Sequence, residues 1–345
     1  MTGAIQCRGL KSNQIEEYLQ FARQAWGCDS RQALRSRLRW LYEENPNSGG
    51  MQKDLIVLLA EGRIVGTHHR TRLRWNIDGK SVIIPTLHDL FVLESHRTGG
   101  GLQLVLAALA GESRVALFGL APSSDVIYER MRVPALQVHS LRKVGSRLLA
   151  GAQIAASRVN LRRRSVITLA DAEVSYGPYT IHRRSGPSDD LLREVLAVRP
   201  CGEAYADWDA LTYRWRFFHR SGPQNVLFAA KANGNAVGRA VVSIGIGSRR
   251  ATAIARIVDF AYMEPAVIAI MLESVDRTLK SVGISVCYAV ISSTEVKDHM
   301  VRTGWSILET GGARWFTRGG SGHPQNFWVC GGESDFGWDR RVGSL

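Results

Sequence analysis

The sequence predicts an α/β protein built from two like domains, and three observations carry that prediction. Residues 87–93 are rich in Leu, Val and Phe, and lead through a polar turn and three glycines, Gly99, Gly100 and Gly101, into an apolar stretch that starts at Leu102 and holds neither Gly nor Pro. That is the pattern of a buried strand followed by a helix. Hairpin signals and helical stretches also alternate through both halves of the chain, which marks a mixed α/β fold. Finally, four short motifs recur in the same order in each half. At 345 residues the chain has room for two domains of ordinary size, each with its own core.

Taken in order, residues 12–43 read as helical, interrupted only at Gly27-Cys28-Asp29-Ser30. They stop at Asn45-Pro46, because the residue before a proline is pushed out of the helical region. Residues 55–59 and 64–73 form strands joined through Glu61-Gly62-Arg63, and Asp78-Gly79 turns the chain into a strand at 81–84. The central strand, the glycine loop and its helix follow, then a strand at 115–118, a helix at 123–132 and a strand at 138–144. From 145 to 190 the character changes. Arg158 and the run Arg162-Arg163-Arg164 are basic, and Ser185-Gly186-Pro187-Ser188 ends the span with a helix N-cap. The expected organisation is a first domain over 1–150, a basic connector over 151–190 carrying a strand or two, and a second domain over 191–345.

The second domain replays the first. Trp40, Gly66, Asp89 and Tyr128 are answered by Trp215, Gly238, Asp259 and Met300. Successive motifs lie 26, 23 and 39 residues apart in the first half and 23, 21 and 41 in the second. Four coincidences in one order, at nearly equal spacing, indicate a duplicated fold.

A strand, a basic glycine loop and a helix together make an anion cradle, since glycine lets backbone N–H groups approach closely and the helix start offers unpaired N–H groups. A Walker loop is excluded, because no lysine lies between Lys80 and Lys143, and a GxGxxG fingerprint opening at Gly99 fails on Leu104. Val92, Leu93, His96, Arg97 and Gly100 instead follow the pyrophosphate loop of the GNAT acyltransferase superfamily, with Glu94 in place of its proline and Leu102 in place of its last small residue. The order of elements resembles that superfamily in both halves. The paired tryptophan segments look like the tandem forms of bacterial surface-polysaccharide loci.

The resemblance implies two tandem domains, each a mixed, mostly antiparallel sheet flanked by helices. It also implies acetyl-CoA, or another acyl-CoA, as co-substrate, and acyl transfer to an amino or hydroxyl group of a small or sugar-like acceptor. Phe91, Val92 and Leu93 would lie along the pantetheine arm, with Arg97, Thr98, Gly99, Gly100 and Gly101 around the phosphates. The general acid is expected at Tyr128, which with Glu129 resembles the family's Tyr-Glu motif. Candidates for the base are Asp89, His88 and Glu94. Because neighbours on a strand face opposite ways, His88 and Asp89 are not expected to share one cleft. After Asp259 the second half has Glu264-Pro265 where the loop would be, so the first half is the expected binder.

The composition narrows the classes. A formal net charge of +13 favours anionic partners. The arginine run lacks interleaved aromatics, which argues against nucleic acid, although a non-catalytic scaffold for an anionic polymer is the competing function. No 18-residue apolar run and no signal-peptide core is present, and five scattered cysteines without CxxC point to a reducing, cytoplasmic setting without structural zinc. His68-His69 point apart on a strand, so no metal site is expected.

Overall fold

The computed structural model describes residues 5–26, 31–145, 169–219, 224–246, 253–308, 312–319, 324 and 326–330. The expected basic run Arg158 to Arg164, Cys28, and the tail carrying Glu333, Asp335, Trp338 and Asp339 lie outside them. The chain divides into two compact units. The first runs to Gln137 and takes up the chain again from Gly311 to Gln325, and the second starts at Val138 and includes the stretch from Asn326.

In the first unit β1 (Ile5–Gly9) precedes α1 (Ile15–Trp26), which buries Tyr18, Leu19, Phe21 and Ala22 as one stripe. The helix α2 (Arg31–Leu38) runs into a π-turn, Arg39–Glu43, that buries Trp40, Leu41 and Tyr42. A short α3 (Met51–Asp54) leads to β2 (Leu55–Ala60) and β3 (Arg63–Ile77). Their turn holds Glu61 and Gly62 at φ 50° and 79°, the geometry that matches strand twist. β4 (Lys80–Val92) is one strand, where the sequence suggested two. Pro85 does not break it, because there β4 has β3 on one side and no described strand on the other. Then come α4 (Arg97–Leu109), β5 (Arg114–Leu120) and α5 (Pro122–Arg130).

The second unit opens with β6 (His139–Val144), β7 (Ala172–Tyr176) and β8 (Tyr179–Arg184). Next are α6 (Asp189–Ala197), β9 (Ala204–Ala206) and α7 (Ala210–Phe218), with Ser188 and Asp209 capping the two helices. β10 (Asn225–Ala232), β11 (Asn235–Ile246) and β12 (Ala253–Tyr262) form a meander before α8 (Pro265–Ser281). β13 (Val286–Ile291), α9 (Thr294–Arg302) and β14 (Ser306–Ile307) follow. The last two strands are β15 (Gly312–Thr317) and β16 (Phe327–Trp328).

The first sheet has the order β1-β2-β3-β4-β5-β15, and the second β14-β6-β13-β12-β11-β10-β8-β7. All neighbours on these paths are antiparallel except β4–β5 and β12–β13. The strand expected at 138–144 exists as β6 but pairs with β13 in the second sheet. Its place beside β5 is taken by β15, from far along the chain. β7 and β8 fall inside the span read as a connector, and they supply an edge of the second sheet.

The repeated glycines have a packing reason. A Cβ on Gly66 of β3 would sit 3.0 Å from Leu104 of α4, and one on Gly238 of β11 would sit 2.5 Å from Val267 of α8. In each unit the helix after the central parallel strand thus presses on the sheet where only hydrogen fits.

Candidate active site

β4 and β5 pair at Thr86–Ala116 and Leu87–Leu117 and nowhere beyond. The separation begins where β4 bulges. His69 faces His88 and Thr67 faces Phe91, so one residue of β3 is matched by two of β4, Asp89 and Leu90. Asp89 takes φ +56°, the left-handed region that a side chain makes unfavourable. This kink overturns the expectation that His88 and Asp89 face apart, since His88 Nδ1 lies 3.4 Å from Asp89 Oδ2.

Behind them is a buried polar network. Arg37, from α2, donates to Asp89 Oδ2 at 2.6 Å, and both side chains are nearly inaccessible. His88 Nε2 pairs with Thr71 Oγ1 at 2.7 Å. His69 Nε2 meets the Tyr18 hydroxyl at 2.7 Å and its Nδ1 meets the Tyr42 hydroxyl at 2.6 Å. One ring nitrogen donating and the other accepting satisfies the neutral imidazole. Donor atoms of His69, His88 and Asp89 lie within 4.8 Å of one another. Both His69 nitrogens and His88 Nε2 are committed to hydroxyls, and the Arg37 guanidinium already matches the Asp89 charge, which is a poor setting for a metal cation.

His69 faces this network, whereas His68 points to the α4 side and is buried there, its pKa depressed to about 3 by burial first and then by the charges of His88 and Arg70. Arg37, Tyr18, Tyr42 and Thr71 escaped sequence reasoning, and His69 was weighed there only as a metal ligand. Alternation along β3 puts 67, 69 and 71 on one face, but nothing local to Arg37 says that it reaches a strand 52 residues away.

On the same face Phe91 stands between the rings of Phe21 and Trp26, at 6.0 and 6.5 Å. Val92 is buried against α4 and Leu93 partly so. Glu94 is exposed, in a 3-10 turn over Glu94–His96, and lies apart from the His88–Asp89 pair in the chain's path. The loop is pinned at its base: the Leu93 N–H donates to Val65 O at 2.8 Å, and Arg97 Nε to Val92 O at 3.3 Å.

α4 becomes regular only at Gly100. Thr98 has ψ 103° and Gly99 has φ 81°, so the chain pivots at Gly99 before the helix starts. A Cβ at Gly99 would meet open space, whereas one at Gly100 would come within 2.8 Å of Leu58 and 3.3 Å of Val92. The three glycines therefore differ. Gly99 gives the turn, Gly100 lets the helix start sit on the sheet, and Gly101 has only an ordinary contact at 3.4 Å with Ile127.

Tyr128 of α5 is fully buried in the apolar cluster of Val92, Leu104, Leu117 and Val133. Its hydroxyl has no hydrogen-bond partner among the described residues. Burial raises its pKa above the ordinary tyrosine range, which keeps the proton on the oxygen. The helix carrying it is clamped. Arg314 of β15 donates to both oxygens of Asp125, at 2.5 and 3.2 Å, and to Val133 O at 2.7 Å. At the matching place in the second unit Met300 is buried and has no proton to give.

These features fit an acyl-CoA thioester: an unpaired strand edge beside a parallel partner, a pivoting glycine before a helix start, and an orphaned hydroxyl. Residues 6–131 match the family model described as acetyltransferase (GNAT) domain. Over most of its length the chain shares its fold with solved acyltransferases. Saccharomyces cerevisiae N-myristoyltransferase, solved with myristoyl-CoA and inhibitors, aligns over 91% of this chain and 80% of its own, with TM-score 0.59 and 10% identity. A conserved Enterococcus faecalis V583 protein described as a probable N-acyltransferase aligns over 91% and 73%, with TM-score 0.58 and 11% identity. A GCN5-related N-acetyltransferase from Kribbella flavida aligns over 91% and 70%, with TM-score 0.55 and 14% identity. No curated protein sequence matches the chain. Among the described residues no helix is long and apolar enough to cross a membrane.

Proposed function

We propose that this protein is an acyl-CoA-dependent acyltransferase that moves an acetyl group onto an amino or hydroxyl group of a small or sugar-like acceptor, as in the tandem proteins of surface-polysaccharide loci. The observation that carries the proposal is the fully buried hydroxyl of Tyr128, without a hydrogen-bond partner among the described residues and in one cluster with Leu87 and Leu117, the last pair of β4 and β5. An unmade buried hydrogen bond costs about 1–3 kcal/mol, and a ligand that supplies the partner removes that cost.

In this reading the pantetheine arm runs along Phe91, Val92 and Leu93, past the point where β4 leaves β5. Arg97, Thr98 and the glycines 99–101 meet the diphosphate at the start of α4. The thioester supplies an activated acyl carbon. Tyr128 donates its proton to the departing sulfur, and the His88–Asp89 pair, held by Arg37, takes the proton of the attacking amine or hydroxyl. Glu94 is left to the loop surface. Free thiols at Cys7, Cys201, Cys287 and Cys330 suit a cytoplasmic location.

The test is Tyr128→Phe, which keeps the ring. With acetyl-CoA and free thiol as the readout, turnover is expected to fall by about 10²–10⁴-fold. Thermal stability should stay level or rise, because the lost hydroxyl has no partner among the described residues. A Phe variant with undiminished turnover at saturating acetyl-CoA contradicts the assignment.

A further inference from the structure

In the second unit the two parallel strands part as they do in the first. β12 and β13 pair at Ala255–Cys287, Arg256–Tyr288 and Ile257–Ala289. A bulge at Val258 then turns β12 aside, since Val242 faces Ile257 and Val241 faces Asp259. The opening holds residues 326–330 of the same chain. On the β12 side Trp328 Nε1 donates to Phe260 O at 2.9 Å, and the Cys330 thiol donates to the same oxygen at 3.9 Å. On the β13 side Cys330 bridges antiparallel to Ile291. The Ser292 N–H donates to Val329 O at 3.1 Å, and the Val329 N–H donates to Ser292 Oγ at 2.9 Å. That hydroxyl donates in turn to Phe327 O at 2.9 Å.

A third side is closed by β9, whose Ala204 and Tyr205 pair in parallel with Phe327 and Trp328. Trp328, Val329 and Cys330 are all buried, and the Trp328 ring lies 5.6 Å from that of Tyr262. The surrounding groups suit a peptide and oppose a diphosphate. Tyr179 donates to Glu264, the residue just before α8, and Pro265 removes an N–H from the helix's first turn. Tyr262 donates to a second carboxylate, Glu295.

We infer that the cleft of the second unit is an intramolecular peptide-binding site. It takes residues 326–330 as an extended strand and excludes the thioester that the first unit's cleft accepts. The contrast with the first unit rests on the acyltransferase reading above. The occupancy of the second cleft does not, because the carbonyl of Phe260 and the backbone and hydroxyl of Ser292 are satisfied by the protein's own chain, as a bound strand satisfies a sheet edge.

Hydrogen exchange on the full chain separates the two claims. Without ligand, the Ser292 and Val329 amides should be protected by about 10³-fold or more over an unstructured peptide. Saturating acetyl-CoA should slow exchange at residues 88–101 and leave 257–262 and 326–330 unchanged. Trp328→Ala should deprotect Ser292 and Val329 while the response at 88–101 persists. Rapid exchange of those two amides in the wild type, or slowing at 257–262 by acetyl-CoA, overturns the inference. If acetyl-CoA slows nothing anywhere, the acyltransferase reading fails, and Ser292 and Val329 protection still decides whether the second cleft is filled.

Discussion

His68 shows how one buried side chain writes itself into the pH dependence of the whole fold. It packs against α4 in neutral form, its pKa lowered to about 3 by burial and by the nearby charges of His88 and Arg70. The unfolded chain binds this proton near pH 6.5. Its native-state stability is therefore complete above pH 6.5, falls as the pH drops from 6.5 to about 3, and is level below that. The slope for one such group is at most about 1.4 kcal/mol per pH unit. His68→Leu removes it, so urea unfolding at pH 7, 6 and 5 should show wild-type stability falling toward the variant's. Parallel curves would show that His68 is not the group responsible. Residues of this kind were partly legible. The motif singles out Tyr128 but not its burial, because that depends on residues of β4, α4 and β5 that close over it. Asp89 and His88 were read as facing apart, and a bulge with positive φ brought them together.

At the scale of elements, local chemistry was the readable part. Both hairpin turns, the helix stop at Asn45-Pro46 and the strand–glycine–helix succession follow from residues within a few positions of one another. Sheet membership does not. β6 alternates buried and less buried residues and β15 buries three in a row, and nothing in so short a stretch says which sheet will take either. The placement of β15 carries a consequence. Arg314 ties Asp125, near the start of α5, to Val133 just past its end, so this strand holds the helix that carries Tyr128. Arg314→Met removes three charge-assisted hydrogen bonds and should cost about 2 kcal/mol of stability. Turnover should fall while KM for acetyl-CoA stays near wild type, since no part of the clamp touches the glycine loop. A variant that lost affinity and kept turnover would move Arg314 out of the positioning of α5.

Over the whole molecule, the duplication visible in the sequence has a physical basis in each unit. A tryptophan is buried before the sheet, a glycine meets the pressing helix, and an aspartate at the bulge is held by an arginine, Arg37 for Asp89 and Arg239 for Asp259. What diverges is the cleft. The first has a pivoting glycine and an orphaned tyrosine hydroxyl; the second has a proline-led helix and a strand of its own chain. The proposed function then predicts one acyl-CoA per chain. The most direct test is a calorimetric titration of acetyl-CoA into the wild type and into Gly99→Asp. The substituted Cβ meets open space, so apart from about 1 kcal/mol for the left-handed backbone the fold should survive, while a carboxylate would stand where the proposed function puts the diphosphate. The expected result is one site per chain in the wild type and no measurable binding in the variant. No binding in the wild type, or equal binding in Gly99→Asp, would contradict the account.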